Sequence, residues 1–562
     1  MTLLKLLPSK KGLYVLLVCF ISGVLFALSF PPFKTWFFVY PALIILLHLI
    51  FTSEKFWQVF RRGYFTMLVF NAIALYWIAG WSSDDFFLKF GGIATVIIHP
   101  FFFMIAILIT YFVKRNFNMR IALFLFPFIW TGFEYSHNLG QLAYPWIELG
   151  NTETYNLYRI QYAEYIGVHG ITFLICVMSA VLYLLIYNIS LKKWKLNSKK
   201  AILSYIVIFL LIIGPNVYSY IYLSNTGHTS QYFHTSDTTK VIKTAVIQAN
   251  VDPFDKWKLS QKEDLITLYM DMLNEALKHS PELIVMHETA VPYYFFDEYY
   301  YYDTQKFIDF VNQNKKYLLM GIPYLEYYPD SLTAPPDSRI MNISRRRYKT
   351  FNAAILLEPG KTRDDYQIHK KAKLVPFSEN VPYGRYLPFL GKLIKWQVGI
   401  GSWNYGDKLL VFNMNNPAEN VSTKFSTLIC FESVFSDYVS GAVKNGAEFL
   451  VVVTNDGWFG NTAGPLQHER FAILRAIENR KWVVRSAQTG ISCFIDPLGN
   501  IHDEMPYDTR GIRTRDIIAN TEITFYAEHG DVIGVISYYF TGVILLVCIA
   551  FYAYMIRVRR RA

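Results

Sequence analysis

Residues 424–435, Lys-Phe-Ser-Thr-Leu-Ile-Cys-Phe-Glu-Ser-Val-Phe, put Cys430 where an apolar, β-branched run stops and a helical pattern starts. A thiol at such a junction is well placed as a nucleophile. Amides of the following turn can face an oxyanion, and a helix N-terminus favours a thiolate. An inert core cysteine at a strand end fits the same spacing. A second run, 282–286, ends in His287 and Glu288 ahead of Thr289-Ala-Val-Pro292. A carboxylate at the open end of a buried strand can serve as general base toward a thiol if burial raises its pKa. The plainer alternative is a solvated strand-end acid, and His287 is a rival base. The third element, 369–382, holds Lys371 and Glu379 within His-Lys-Lys-Ala-Lys-Leu-Val-Pro-Phe-Ser-Glu-Asn-Val-Pro. A cation beside a Cys–Glu pair lowers the thiol pKa and stabilises a tetrahedral intermediate, although clustered lysines also describe a solvated loop.

These residues need a scaffold, and the pattern between 240 and 525 supplies one. Short apolar runs at 243–249, 283–286, 317–322, 351–357, 426–429, 449–453, 482–485 and 492–495 predict strands. Helical patterns at 260–278, 304–314, 433–444 and 467–478 alternate with them, which predicts an α/β domain. The segment 331–342, rich in Pro, Ser and Arg, reads as a loop insertion.

The rest of the chain is of another kind. Of 562 residues, 53% are hydrophobic and 17% aromatic, and the mean hydropathy is +0.23, too apolar for a soluble protein of this length. Runs near 13–30, 35–51, 64–81, 92–113, 121–135, 164–187, 201–222 and 531–556 predict about eight transmembrane helices. The formal charge of +11 is not a nucleic-acid footprint. Its excess sits in Lys5, Lys10, Lys11; Lys55, Arg61, Arg62; Lys114, Arg115, Arg120; Lys192, Lys193, Lys195, Lys199, Lys200; and Arg557, Arg559, Arg560, Arg561, against one acid, Glu54. With eight spans all five clusters fall on one side, so the positive-inside rule makes both termini cytoplasmic. The 240–525 zone, with Asp84 and Asp85, then lies outside. The first run could instead be a signal peptide cleaved near Ala27-Leu28-Ser29, but seven further spans favour an anchor. Cys19, Cys176 and Cys548 lie in apolar runs. Only Cys430 and Cys493 could form a lone disulfide in the soluble zone.

The order Glu288, then Lys371 in Lys-x-x-Leu-Val-Pro-Phe-x-Glu, then Cys430-Phe-Glu432 resembles the carbon-nitrogen hydrolase (nitrilase) superfamily. Within it the chain is most similar to the apolipoprotein N-acyltransferases, which carry several spans before the domain and one after it. Ser29-Phe-Pro-Pro-Phe, Pro145-Trp146, Gln248-Ala-Asn, Lys256-Trp257, and Asn455-Asp-Gly-Trp-Phe-Gly460 through Gln467-His468 to Arg475-Ala-Ile-Glu478 also match. Two positions depart: Met286-His287 replaces the usual Trp-Pro, and Ser378 replaces a Gly. The resemblance implies a membrane domain of seven spans over 1–225, a nitrilase-like αββα sandwich over 240–525, and a final helix with a basic tail over 526–562.

It also implies roles. Glu288 is expected as general base, Lys371 as oxyanion-stabilising cation, Cys430 as nucleophile and Glu379 as orienting acid. Glu432 and Trp257 match positions used around the site and the acyl-chain entrance, and the Phe431 amide is expected as a second oxyanion donor. Trp146, Trp257 and Trp458 are expected to line an apolar cleft, although interfacial anchoring explains a tryptophan equally well. The implied reaction moves an acyl chain from a phospholipid to the α-amino group of a diacylglyceryl-cysteine, through a thioester, at the outer face of a bacterial inner membrane. Neither metal nor organic cofactor is signalled, since P-loop, G-x-G-x-x-G and H-E-x-x-H are absent, and the oligomeric state is not legible. A membrane-tethered amidase would keep the same three residues without needing seven spans. A transporter would need paired intramembrane charges that the apolar runs lack.

Overall fold

The computed structural model describes residues 10–79, 86–225, 240–329, 334–341, 346–384, 386, 403–416 and 421–561. Asp84, Asp85, Lys5 and parts of the 331–342 insertion lie outside the described residues. The N-terminal region is helical: α1 Lys10–Leu28, α2 Val39–Phe51, α3 Phe56–Ala74, α4 Phe86–Ile98, α5 Pro100–Asn116, α6 Met119–His137, α7 Ala163–Ser190 and α8 Lys199–Asn225. Five helices among the described residues, Lys11–Leu28, Lys89–Asn116, Ile160–Ser190, Lys199–Asn225 and Val532–Val558, are long and apolar enough to cross a bilayer. Trp36–Phe51 is a shorter apolar helix. Leu203, Phe209 and Leu210 on α8, and Leu546 and Ile549 on the last helix, turn outward. Such continuous apolar exposure suits lipid.

The run expected as a span at 64–81 begins earlier, as α3, because its first turn is held by polar groups. Gln58 Oε1 accepts from the amides of Glu54 and Lys55, and Arg62 donates to Ser53 Oγ at 3.0 Å. It also stops earlier, at Ala74. The expected span at 121–135 coincides with α6, which keeps Pro127 inside the helix and buries Glu134.

Residues 240–519 build two stacked sheets. The first runs β13-β1-β2-β3-β5-β4, with β6 also on β5. Its strands are β1 Lys240–Gln248, β2 Leu283–Val285, β3 Tyr317–Tyr328, β4 Arg339–Ile340, β5 Arg347–Leu357, β6 Gln367–Lys370 and β13 Gly511–Ala519. The second runs β12-β11-β10-β9-β8-β7. It comprises β7 Val411–Asn416, β8 Val421–Ile429, β9 Phe449–Thr454, β10 Val483–Ala487, β11 Ser492–Ile495 and β12 Ile501–Met505. Strands β1, β2 and β3 are mutually parallel, as are β8, β9 and β10.

Alternating side chains sort these strands into three packed layers. Val246, Val285, Leu319 and Leu356 face Phe425, Ile429, Val451 and Val484 between the sheets. Ile247, Ile284, Leu318 and Ile355 pack under α9 Lys262–Leu277 and α10 Tyr301–Asn314. Leu428, Leu450, Val452 and Ile495 pack under α11 Ser436–Lys444 and α12 Ala463–Asn479. That last layer is continuous with Phe26, Leu43, Met67 and Trp130 of the N-terminal helices, so α12 lies between the sandwich and the bundle. A short helix, α13 Phe525–His529, leads to α14 Val532–Arg561, which packs along α6. Cys430 lies in the core between the sheets and Cys493 on the outer side of the second sheet; both are free thiols, so no disulfide joins them.

Candidate active site

The reacting groups proposed from sequence sit just beyond the carboxyl ends of β2, β6 and β8, the first two in one sheet and the third in the other. Cys430 follows β8 and opens a short 3-10 turn, Cys430–Val434, with φ at +52°. A left-handed conformation at a residue with a Cβ costs energy, and here Glu432 holds it. One carboxylate oxygen of Glu432 accepts from the Ile429 amide at 2.8 Å and lies 3.0 Å from His369 Nε2. The other accepts from the Ala372 amide at 2.7 Å and the Tyr438 hydroxyl at 2.9 Å. Glu432 therefore ties the Cys430 turn to the segment that carries Lys371. Burial works against its charge, but His369 and these donors outweigh it and keep the carboxyl below its ordinary range.

Glu432→Gln should lower stability by about 1–3 kcal/mol, because an amide NH2 then faces backbone donors. A carboxyl held low when folded stabilises above its unfolded pKa and loses that contribution as pH falls through the folded value. The melting-temperature gap between wild type and Glu432→Gln should accordingly be present at neutral pH and shrink in acid, which thermal melts in detergent will show.

Strand alternation separates the clustered lysines. Lys370 reaches Glu326 at 2.8 Å and lies over the Phe351 ring, whereas Lys373 lies over Phe435. Lys371 alone of the three turns into the site, 1% exposed, and donates to Glu288 Oε1 at 3.1 Å and Glu379 Oε1 at 2.8 Å. Burial opposes its charge, yet Glu288 and Glu379 more than compensate and hold the ammonium well above its ordinary pKa. Glu379 is fixed in turn by the Val375 amide at 2.8 Å.

Glu288, the first residue but two after β2, accepts three hydrogen bonds. Besides Lys371 they come from Asn352 Nδ2 at 2.7 Å and from the Asn455 amide, on Oε2, at 3.0 Å. Burial drives the Cys430 thiol up, Glu288 adds to the rise and Lys371 opposes it. The resting group is thus a thiol, with Glu288 and Lys371 near enough to bias it in opposite directions. His287 faces Tyr269 of α9, with ring centroids 5.6 Å apart. Burial, then Lys256, brings its pKa down to about 3, so it is a neutral bystander.

Sequence reasoning gave no role to Asn352, although a lone amide inside the apolar run 351–357 was a visible signal. It also gave none to Asp456, His468 and Arg485. Cys430, Asp456 and His468 offer ligand atoms within 4.8 Å of one another. That donor set does not suit a cation. Arg485 already pairs with Asp456, whose other oxygen meets His468 Nδ1 at 2.8 Å, and His468 Nε2 faces Ser433 Oγ at 2.9 Å. Burial opposes the Asp456 charge, but Arg485 and His468 bring its pKa down to about 2.

Phe431 packs against both Tyr144 and Trp146, with centroids 6.0 and 6.5 Å away, and those two rings also stack on each other. Trp146 is 2% exposed and donates to Gln467 Oε1 at 2.8 Å. The same oxygen accepts from Trp77 at 3.0 Å, and Gln467 Nε2 donates to the Pro31 carbonyl at 2.8 Å and the Ala74 carbonyl at 3.1 Å. Three distant segments that matched the family motifs, around Pro31, Trp146 and Gln467, thus meet at one amide, together with Ala74 and Trp77. Adjacent residues of α12 do two jobs: Gln467 binds the helical region and His468 the Cys430 turn. Trp257 and Trp458 are half-buried, and Trp458 meets Phe254 edge-on at 5.0 Å.

An αββα sandwich with a Glu, a Lys and a Cys at its strand ends is the class of the carbon-nitrogen hydrolases, and residues 243–524 match the carbon-nitrogen hydrolase family. Residues 22–181 match the apolipoprotein N-acyltransferase N-terminal domain. An apolipoprotein N-acyltransferase of Chlorobaculum tepidum is 32% identical over 538 residues, covering 94% of this chain and 95% of that protein. One of Geobacter metallireducens is 29% identical, covering 92% of each. One of Aquifex aeolicus is 27% identical, covering 88% of this chain and 96% of that protein. The chain belongs to the apolipoprotein N-acyltransferase family.

Proposed function

We propose that this protein moves an acyl chain from a phospholipid to the α-amino group of a diacylglyceryl-cysteine at a lipoprotein N-terminus, by way of a thioester on Cys430. The observation that carries this reading is the buried Glu288–Lys371 contact of 3.1 Å beside the Cys430 turn, on a helix layer continuous with apolar helices. In the first half-reaction Glu288 takes the thiol proton and Sγ attacks the ester carbonyl. The carbon–oxygen bond to glycerol breaks, and the lysophospholipid leaves with the proton from Glu288. In the second, the amine attacks the thioester carbonyl, Glu288 accepts the amine proton, and the carbon–sulfur bond breaks, the departing thiolate taking that proton from Glu288 to restore the thiol. Lys371, with the Phe431 amide, stabilises the oxyanion in both steps. Glu379 and Glu432 position the lysine and the cysteine. Trp257 and Trp458 line the acyl entrance, and Trp146 braces Phe431 from behind.

The membrane arrangement follows the same reading. Residues 1–225 cross seven times and 526–562 once, both termini are cytoplasmic, and the 240–525 domain sits on the outer face. The two ends of α3 support it. Arg61 and Arg62 occupy its first turns, and its last residue, Ala74, receives Gln467. Nineteen helical residues place those ends about 28 Å apart, a bilayer's thickness.

Purified protein in detergent, given phospholipid and a diacylated lipopeptide, should yield triacylated peptide and lysophospholipid in equal amounts. Free fatty acid without acylated peptide would favour a membrane-tethered hydrolase instead.

A further inference from the structure

Lys256 has no part in the reaction as set out above, yet it is a second buried ammonium beside the turn that carries Glu288. It leaves the 3-10 turn Asp255–Trp257 and is 2% exposed. Its Nζ donates to Thr289 Oγ1 at 2.9 Å and to Gln488 Oε1 at 2.7 Å. Both acceptors are neutral. Thr289 directly follows Glu288 and has φ at +43°. Gln488, which follows β10, accepts from the Asn250 amide through its carbonyl at 2.7 Å and donates from Nε2 to the Val251 carbonyl at 2.8 Å. One ammonium therefore ties together the chain beyond β1, β2 and β10, on both sheets.

Burying a charge on neutral acceptors is expensive, so its retention calls for a partner farther off. Burial lowers the Lys256 pKa and Glu288 opposes that fall, leaving it at about 7. The charges explain why the pocket keeps this cation. Glu288 and Glu379 share a single lysine, Lys371. Two carboxylates against one ammonium leave a net negative charge, and Lys256, which forms no ion pair with either carboxylate, acts on Glu288 only from farther off.

Resting on the function proposed above, we propose that Lys256 is a positioning residue for the general base: it completes a neutral set with Lys371, Glu288 and Glu379 and fixes the turn that carries Glu288. The groups facing Glu288 are Lys371, Asn352, the Asn455 amide and the Cys430 thiol, with neutral His287 beside it and Glu379 behind Lys371. Among these, Lys371 is the sole remaining cation once Lys256 is removed. Losing a cation near a carboxylate makes the carboxylate harder to ionise.

The test is the pH profile of kcat/KM for transfer from phospholipid to diacylated lipopeptide, measured on the full-length protein in detergent. Lys256→Met and Lys256→Gln should move the acid limb to higher pH by about one unit or more. Lys256→Arg should keep the wild-type limb even where its kcat is lower. A limb that stays in place in the Met and Gln variants, with kcat reduced in all three, would overturn the proposal and leave Lys256 a structural cross-tie. Melting temperature and detergent gel filtration identify any variant that fails to fold, and the Gln and Arg variants then decide. Failure of the function itself reads differently: wild-type protein would form no Cys430 thioester at any pH. A thioester with an unmoved limb refutes only the role of Lys256.

Discussion

Cys430→Ser is expected to lose acyl transfer by about 10³-fold or more while keeping the melting temperature and detergent elution of the wild type. Burial and the neighbouring Glu288 already hold the thiol above its ordinary pKa, so its proton leaves only during reaction. A serine hydroxyl is far less acidic, so the same carboxylate activates it much less than it does the thiol. Oγ is also smaller than Sγ, so nothing clashes in the pocket, and the turn is held by Glu432, not by the thiol. Release of lysophospholipid is the measurement. Release at the wild-type rate would remove Cys430 from the mechanism.

Glu288→Gln is the second large effect, an expected loss of about 10²–10⁴-fold from removal of a general base. The substitution is nearly isosteric, but the carboxylate accepts from Lys371 and Asn352 on one oxygen and from the Asn455 amide on the other. An amide places an NH2 against one of these donors whichever way it is turned, so local displacement adds to the lost basicity. Single-turnover kinetics separate the two half-reactions. Both should slow under the proposed mechanism, in which the same carboxylate takes the thiol proton in the first and the amine proton in the second. An effect confined to the second would assign the thiol proton to another base.

Much of the sandwich is legible in the sequence because its central strands are buried on both faces and appear as short apolar runs. All eight expected runs became strands, and the four helical patterns became helices α9 to α12. The misses are edge or near-edge strands with mixed composition. Examples are Gln367–Lys370, Val411–Asn416 and Ile501–Met505, whose outward faces are polar and which no periodicity distinguishes from loop. Within the helical region, Arg61 and Arg62 read as loop charges, but they lie inside α3 because Gln58 caps its start.

The site divides along similar lines. Glu288, Lys371 and Cys430 stand where a run of hydrophobic residues ends, which any pass along the chain notices. Choosing Lys371 over Lys370 requires the register of β6 on β5, where Ala353 opposes Lys370 and the next residue turns inward. The Asn455 amide and Lys256 make contacts between strands or between sheets that no local pattern reveals, whereas Asn352 stands out as a lone amide within an apolar run. Trp146 shows the converse. Its position in a family-like motif suggested a cleft lining, and the structure packs it behind Phe431, bonded to Gln467.

The most direct test of a Cys430 acyl-enzyme is the mass of the peptide containing that residue after the protein meets phospholipid alone. The account predicts an added acyl group on Cys430, labile to hydroxylamine, that disappears when diacylated lipopeptide is supplied and reappears on the peptide's amine. Triacylated product formed at full rate with Cys430 never acylated would contradict it.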